Sequence, residues 1–489
     1  MGLTISITIG VIVLFILAFM VLRMSRYIRP VEPVEAVELV SVDADKAAHH
    51  LSEVIKIKTV SSDRESFDAK PFEQLHQTLR DFYPKLHQEL KLEIVSNATL
   101  LYCWQGQQPD LKPVLFVAHQ DVVPADPDTL DEWTHEPFSG EISEGFIWGR
   151  GALDIKSQMM AALEAVEMLV TEGFQPDRTV YLAYGEDEEI GGQHGAKKVV
   201  ELLQERGVQL AAVLDEGGTI VSGVVPSVEL PVALVGVAEK GHLSLKIRAE
   251  GTPGHSSMPK QGTAIGRLAR ALARLEANQM PVHYQALTNL FRGLGAAASF
   301  SMQFVIANLW LLAPFVRKRL EQSAEMNATI RTTTALTMLR GGVKDNVLPN
   351  SAEAIVNFRL LPGDTIATVC EHVRKVINDD QVHFEPVENA FWEASPVSPT
   401  DNLAFLSLDQ TIRQVFSNVV VAPYLVLGAT DSRYYPVISD AVYRFSPYFL
   451  SGSDLSRMHG IDERLSVEAM QKMVVFFYHL LRRWTGEEV

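Results

Sequence analysis

The chain begins with a long run of apolar residues. Residues 3–22 contain no charged side chain, and the run is followed by the arginines Arg23, Arg26 and Arg29. About 20 apolar residues suffice for a helix that spans a bilayer. The alternative, a cleavable signal peptide, would show a basic segment before the run and a small-x-small motif after it, and neither is present. We therefore expect a single-pass membrane anchor over 3–22, followed by a linker over 23–43.

From residue 44 onward, short apolar runs alternate with amphipathic segments. Strands are predicted at 92–95, 100–104, 114–118, 179–183 and 211–214, and helices at 44–57, 71–90, 155–172 and 195–206. Such alternation favours an α/β fold with helices packed on a central sheet. We assign this first part of the main domain to residues 44–232.

The pattern changes near residue 233, where longer alternating strands begin. Strands at 241–249, 330–339 and 352–361 and helices at 263–278 and 364–378 predict a smaller α+β domain over 233–392. The helical patterns at 402–415 and 466–484 then return the chain to the main domain over 393–489.

Residues 294–316 form a second uncharged segment, which includes Phe300, Phe304 and Trp310. A buried helix of the smaller domain is one interpretation. An exposed apolar wall that contacts a lipid chain or a membrane surface is another. A second transmembrane span is disfavoured, because it would place the two parts of one domain on opposite sides of a bilayer.

Composition excludes some functions and leaves others open. The 489 residues carry a formal charge of −17, and a nucleic-acid-binding protein needs a basic face instead. No nucleic-acid partner is therefore expected. Cys103 and Cys370 are the two cysteines, which are too few for a disulfide framework and lack metal-ligand spacing.

Five polar residues combine the side-chain types of a two-metal site. His119 and Asp215 follow predicted strands, Asp154 precedes a predicted helix, and Glu189 and His459 lie in glycine-containing segments. The spacings are 35, 35, 26 and 244 residues. Each residue alone has an ordinary structural explanation, such as a helix cap for Asp154. Together, two imidazoles and three carboxylates suit a pair of zinc-like ions.

The sequence resembles the M20 family of metallopeptidases, in the branch of carboxypeptidase S and the N-fatty-acyl-amino-acid hydrolases. The resemblance runs from about Ala44 to the C-terminus. Its motifs are Ala118-His119-Gln120-Asp121, Gly149-Arg150-Gly151-Ala152-Leu153-Asp154, Gly185-Glu186-Asp187-Glu188-Glu189 and Met458-His459-Gly460. It implies a zinc-peptidase-like mixed sheet flanked by helices, with an inserted smaller α+β lid domain, here preceded by the N-terminal transmembrane helix.

The resemblance also implies a role for each residue of the metal site. His119 and Asp215 would hold one Zn²⁺, Glu189 and His459 would hold the other, and Asp154 would bridge the two. Co²⁺ and Mn²⁺ suit the same ligands. The ions would lower the pKa of a bridging water so that it attacks as hydroxide.

Glu188 matches the family's general base, which passes a proton to the leaving amine. Asp121 matches a residue that accepts the second imidazole proton of His119. Glu463 is expected to support His459.

Substrate contacts are implied at four further positions. His255, in a glycine-rich turn, would stabilise the oxyanion, and in relatives this histidine often comes from a partner subunit, which leaves a homodimer open. Asn346 would lie near the same oxygen or near the substrate carboxylate. Arg359 would bind the substrate carboxylate, with Arg433 as a second candidate. A polar turn for His255 and a cross-strand ion pair for Arg359 are the structural alternatives.

These features predict a membrane-anchored di-zinc amidohydrolase. Its substrates would be N-acyl amino acids, with a fatty-acyl group favoured, or short peptides with a free carboxylate. The alternatives are a dipeptidase or carboxypeptidase of the same family and a non-catalytic, membrane-tethered binding protein. The arginines after the anchor favour a cytoplasmic catalytic domain, whereas relatives of this branch occupy lumenal or secreted settings, so the side of the membrane stays open.

Overall fold

The computed structural model describes residues 2–28, 34–35, 37, 40–63, 65–223, 228–452 and 454–486. The α-helices are, in chain order, α1 Gly2–Tyr27, α2 Ala44–Ile55, α3 Ala69–Phe82, α4 Pro84–Glu89, α5 Lys156–Thr171, α6 Ala196–Glu205, α7 Ala264–Ala277, α8 Gln285–Leu294, α9 Phe300–Ala307, α10 Leu309–Leu320, α11 Ala324–Ile330, α12 Ile366–Ile377, α13 Leu403–Val415 and α14 Val467–Trp484.

The strands are β1 Lys91–Val95, β2 Thr99–Trp104, β3 Val114–His119, β4 Ile142–Ser143, β5 Phe146–Trp148, β6 Val180–Gly185, β7 Ala212–Asp215, β8 Ile220–Val221, β9 Val232–Glu239, β10 Gly241–Glu250, β11 Gly254–His255, β12 Thr333–Gly341, β13 Val347–Leu348, β14 Ser351–Leu360, β15 Val382–Trp392, β16 Val420–Val426, β17 Val442–Arg444, β18 Phe449–Leu450 and β19 Arg464–Ser466.

A large mixed sheet forms the centre of the molecule, which confirms the predicted α/β class. Its strand order is β1-β2-β6-β3-β7-β17-β9-β8-β18, with β16 paired to β9. The neighbours β6, β3, β7 and β17 run parallel, whereas β1, β2 and β9 introduce antiparallel pairs. The parallel strands therefore end at one common edge, and this is where open α/β sheets place their sites.

Helices cover both faces of this sheet. Alternate residues of β3 point to opposite sides, so Phe116 packs with α5 and α14 while Leu115 packs with α6. Helix α14 begins at a cap in which Ser466 Oγ accepts a hydrogen bond from the Ala469 backbone N–H, and it ends at the buried Trp484. The predicted helix over 466–484 corresponds to this element.

A second, antiparallel sheet has the order β12-β14-β10-β15, and α7 and α12 pack on one of its faces. The prediction began this smaller unit at residue 233, but β9 belongs to the large sheet, where it pairs with β16 and β17. The small sheet therefore begins at Gly241. The reason is burial, because β9 is apolar on both faces, as a central strand of a large sheet must be.

Helices α8–α11 lie between α7 and β12 in the chain but pack on the large sheet. Leu290 and Leu294 of α8 share an apolar cluster with Val420 and Ala422 of β16. In α9 and α10, only Ile306, Ala307 and Leu309 are buried among the described side chains. The interpretation of 294–316 as a buried helix of the smaller domain is therefore wrong.

Helix α1 extends through the N-terminal apolar run. Its most apolar stretch of 18 residues has a mean hydropathy of 3.0, and the segment Thr4–Tyr27 is long and apolar enough to cross a membrane. A signal sequence meets the same criterion. The exposed apolar side chains include Leu14, Phe15 and Phe19, whereas Met20 and Met24 are buried against the rest of the protein.

Candidate metal centre

The site lies at the edge where the parallel strands of the large sheet end. Strand β3 ends at His119, β6 at Gly185 and β7 at Asp215. The loops that follow β6 and β7 carry Glu188, Glu189 and Glu216 toward His119. The prediction that His119 and Asp215 lie at the ends of strands is therefore confirmed.

The first group of potential ligands contains His119, Asp154 and Glu216, all of which are buried. His119 Nε2 lies 3.1 Å from Asp154 Oδ1 and 3.1 Å from Glu216 Oε1. One cation could be held by these three side chains, because an imidazole nitrogen and two carboxylate oxygens converge on one point.

The second group contains Asp154, Glu189 and His459. His459 Nε2 lies 3.0 Å from Asp154 Oδ2 and 3.3 Å from Glu189 Oε2. Asp154 thus directs one carboxylate oxygen to each imidazole, which is the arrangement that a ligand shared between two ions requires.

The electrostatics of the cluster fit cations. Burial, together with the charge of Asp154, raises the pKa of Glu216 to about 8. Burial also raises the pKa of Glu189, whose Oε1 has no hydrogen-bond partner within the described ranges. Hydrogen bonds to Asp154 and Glu189 raise the pKa of His459 to about 10. Divalent cations would replace these protons and neutralise the crowded carboxylates.

Glu188 lies outside these two groups, but it forms a third group of potential ligands with His119 and Glu189. Its Oε2 is 4.0 Å from His119 Nε2. Burial raises the pKa of Glu188 well above its ordinary value, and the charges of Glu216 and Asp431 add to the effect. A carboxyl group that holds a proton this close to the cluster has the properties of a proton shuttle.

The structure places Glu216, rather than the predicted Asp215, beside His119. Asp215 ends β7 on the face of Val213, where its charge acts on Tyr435. Its Oδ2 is buried and has no hydrogen-bond partner in the part of the chain that the structure describes. The sequence analysis ended this strand at residue 214, whereas β7 ends at Asp215. Because side chains alternate along a strand, the first side chain beyond the strand that can reach His119 is therefore Glu216 rather than Asp215. The one sequence signal for Glu216 was that it is an acidic residue next to Asp215.

Asp121 supports two parts of the site. His119 Nδ1 donates to the Asp121 backbone oxygen at 2.9 Å, whereas the carboxylate Oδ1 lies farther away at 3.4 Å. The Asp121 carboxylate instead accepts hydrogen bonds from the backbone N–H groups of Glu188 and Glu189, both at 3.2 Å. Asp121 therefore holds the turn that carries Glu188 and Glu189. It also accepts a hydrogen bond from the imidazole of His119, as the sequence analysis expected, but through its backbone oxygen.

Glu463 is buried beneath the Asp154 loop. Its Oε1 accepts hydrogen bonds from the backbone of Gly151, Leu153 and Asp154, and Arg150 Nη1 donates to its Oε2 at 2.6 Å. Arg150 Nη2 donates to the backbone oxygen of His459 at 3.2 Å. The expected support of His459 by Glu463 thus runs through Arg150, and Glu463 contacts the Asp154 loop directly.

Arg359 and Arg433, two of the predicted substrate-binding residues, both lie near His242. We call the region of these residues and Trp392, between the large and the small sheet, the seam. Arg433 Nη2 donates to the Gly191 oxygen at 2.6 Å, and its guanidinium lies 4.5 Å from the centre of the Trp392 ring. Trp392 stacks on His242, with 4.6 Å between ring centres. Burial and the charges of Arg359 and Arg433 lower the pKa of His242 to about 4. The seam therefore favours an anion, and sequence analysis missed His242 and Trp392.

His255 and Asn346 lie apart from the cluster. They occupy neighbouring segments around the β11–β13 pair, where Ser256 N donates to the Asn346 oxygen at 3.1 Å. Both side chains are exposed, and His255 Nδ1 contacts Ser257 Oγ at 2.8 Å. Neither belongs to the three groups of potential metal ligands found among the described residues.

Comparison with known sequences gives consistent matches. The sequence profile of peptidase family M20/M25/M40 matches residues 115–483. The probable carboxypeptidase S-like 2 of Dictyostelium discoideum is 41% identical over 89% of this chain and 84% of its own length. The N-fatty-acyl-amino acid synthase/hydrolase of Xenopus tropicalis is 40% identical over 88% of this chain and 84% of its own length.

Solved structures share the fold. The M20 family metallo-carboxypeptidase Sso-CP2 of Sulfolobus solfataricus aligns with a TM-score of 0.63 and 17% identity, over 90% of this chain and 99% of its own. A dinuclear metal-binding peptidase of the M20 family from Bacillus subtilis aligns with a TM-score of 0.57 and 14% identity, over 90% of this chain and 97% of its own.

Proposed function

Because the chain belongs to peptidase family M20/M25/M40 and is therefore a metal-dependent hydrolase, we propose that it is a two-metal amidohydrolase of N-acyl amino acids. The preferred acyl group is a fatty acyl chain. The observation that carries the proposal is the position of Asp154, whose two oxygens face His119 and His459 at 3.1 and 3.0 Å.

Two divalent cations fit this donor set. His119, Asp154 and Glu216 would hold one, and Asp154, Glu189 and His459 would hold the other. Zn²⁺, Co²⁺ and Mn²⁺ all accept imidazole and carboxylate ligands. When bound, such ions polarise a carbonyl group and lower the pKa of a water molecule.

The chain's own residues handle the proton. Glu188, in its ionised form, would accept a proton from the attacking water at its carboxylate and return it to the nitrogen of the leaving amino acid. Asp121 holds the backbone of Glu188 and Glu189 by two hydrogen bonds. The Asp121 carboxylate thereby orients both Glu188, the proposed base, and Glu189, a proposed metal ligand.

The substrate carboxylate binds at the seam between the sheets. Arg359 and Arg433 supply guanidinium groups, and their positive charges, in addition to burial, lower the pKa of His242. An anion at this position is attracted by both arginines, which are suited to bidentate pairing. His255 and Asn346 approach the scissile carbonyl by a movement of the small sheet or from a partner subunit, because their exposed side chains make no contact with the cluster among the described residues.

The proposal includes membrane attachment through α1. Its apolar side chains are largely exposed, which favours a lipid environment over water. Helix α1 would serve as a single-pass anchor, and protection of the catalytic domain from protease in sealed vesicles would show on which side of the membrane it lies.

A substrate panel tests the reaction. Full-length protein loaded with Zn²⁺ is given N-oleoyl-phenylalanine, N-oleoyl-phenylalaninamide and a phenylalanine dipeptide, and amine release is measured. The carboxylate substrate should be turned over fastest. The amide analogue should lose roughly 10- to 100-fold in kcat/KM, because hydrogen bonds to charged groups contribute about 1.5–3 kcal/mol.

Two variants test the role of the arginines in this panel, Arg433→Lys and Arg359→Lys. Each should reduce the difference in kcat/KM between the acid and the amide while leaving turnover of the amide unchanged. Faster dipeptide turnover would favour a carboxypeptidase or dipeptidase, as the name of the Dictyostelium relative suggests. A metal-loaded protein that is inert toward all three compounds would support a binding protein instead.

A further inference from the structure

Helix α1 is fastened to α9 and α10 near its C-terminal end. Arg23 Nε donates to the Ala307 oxygen at 2.7 Å, and Asn308 Nδ2 donates to the Met20 oxygen at 3.2 Å. The rings of Phe19 and Trp310 meet edge to face, with 6.1 Å between centres. The turn between α9 and α10 therefore lies beside the last part of the apolar run.

The two helices at this turn present apolar side chains outward. Phe300 is 64% exposed, Trp310 55% and Phe315 80%. In α10, Trp310, Leu311 and Phe315 fall within an arc of about 140° around the helix axis. An exposed apolar face of this kind marks an interaction surface rather than ordinary protein surface. We call residues 300–316 the apolar corner.

The geometry argues against a second transmembrane span. Helices α9 and α10 meet at an angle of 113°. They contain 8 and 12 residues, whereas a spanning helix needs about 20. Short apolar helices that are neither buried nor long enough to span are typical of segments that lie in the membrane interface.

We propose that the apolar corner inserts into the lipid leaflet at the C-terminal end of α1. The proposal rests on the membrane attachment proposed for α1 and extends it to a second, internal contact. Phe19 lies four residues before Arg23, so Trp310 sits about 6 Å inside the boundary that Arg23 marks. This depth corresponds to the upper part of the acyl chains.

Charge around the corner fits a lipid headgroup layer. Helix α10 ends with Arg317, Lys318 and Arg319, and all three side chains are exposed. Arg26 occupies the last turn of α1. Apolar residues that lead into a basic turn are typical of helices that bind anionic membrane surfaces.

Tryptophan quenching tests the insertion. The full-length protein is reconstituted into vesicles of phosphatidylcholine and phosphatidylserine whose acyl chains carry bromine at a shallow or a deep position. Trp310 is one of six tryptophans, and α1 contains none. Bromolipid should quench the emission of Trp310, more strongly from the shallow position. Trp310→Phe should remove this quenching, whereas the control Trp484→Phe, which changes a buried tryptophan of the large domain, should keep it.

A second variant covers the case in which Trp310→Phe disturbs the packing against Phe19. Phe315→Trp in the Trp310→Phe background places a reporter on the most exposed position of the corner, and its emission should also be quenched. Flotation of the vesicles separates the two proposals. Protein that floats without quenching at either position overturns the corner alone, and protein that does not float overturns the anchor as well. A blue-shifted Trp310 that bromolipid does not quench would indicate a second protein copy and would also overturn the lipid assignment.

Discussion

The position of the third ligand of the first ion can be tested by two neighbouring substitutions. Glu216→Gln removes a carboxylate whose Oε1 lies 3.1 Å from His119 Nε2. Asp215→Asn is the matched control, because Asp215 is also buried and is adjacent in sequence. Both changes remove one ionisable carboxyl group and preserve side-chain size, so a general effect of losing a buried carboxyl group would appear in both variants.

The expected loss follows from the number of ligands. Structural zinc sites with four ligands bind with about 10–16 kcal/mol, which corresponds to roughly 2.5–4 kcal/mol for each ligand. Glu216→Gln should therefore lower the affinity for the first ion by about 10²- to 10³-fold. Asp215→Asn should leave both ions in place, since Asp215 is absent from the three groups of potential ligands within the described ranges.

Metal content after dialysis against a chelator, followed by competition with a chromogenic zinc indicator, gives the readout. Wild-type protein and Asp215→Asn should retain two ions per chain, and Glu216→Gln should retain one. If Asp215→Asn loses an ion while Glu216→Gln keeps both, the assignment of Glu216 is wrong and the original prediction of Asp215 is restored.

Three further outcomes follow from the same geometry. Glu188→Gln should lower kcat by roughly 10²- to 10⁴-fold with unchanged metal content, measured by amine release and by elemental analysis. Glu463→Gln should lower the free energy of unfolding by about 3–5 kcal/mol in urea, since Arg150 keeps a buried charge without its partner, and Arg150→Met should restore part of this loss. In metal-free protein, the pKa of Glu216 of about 8 exceeds its ordinary value of 4.5. The folded state therefore holds a proton that the unfolded chain has released, so the free energy of unfolding should fall as the pH rises between these values, and Glu216→Gln should flatten the slope.

The family and the mixed sheet could be predicted because their signals are local. The apolar run of β3 and the residue that follows it indicate a strand end in any context, and the motifs around His119 and Asp154 carry the resemblance to M20 enzymes. Both the family and the class of enzyme are confirmed by the comparisons. The position of Glu216, rather than Asp215, beside His119 was not predictable, since it depends on the residue at which β7 ends.

Packing between remote segments could not be predicted either. Helices α8–α11 follow a helix of the small sheet, yet the apolar face of α8 packs on β16, which comes more than a hundred residues later in the chain. The site around His242 has the same origin, because the positive charge that acts on this β10 residue comes partly from Arg433, which lies in the segment between β16 and β17. Contacts of this kind leave no periodic signal in either segment.

The cluster also implies that metal binding and folding are linked. Burial raises the pKa of Glu188, Glu189 and Glu216, which shows that the folded chain without ions opposes their charge. Substitutions that remove one of these crowded carboxylates should stabilise the metal-free fold. The same substitutions should weaken the binding of the ions, because one set of carboxylates causes both effects. Glu463 and Asp121 act differently, since they hold the backbone beside the ligands through hydrogen bonds that do not depend on an ion. Substitutions at these two positions should therefore weaken the metal-free and the metal-loaded protein alike.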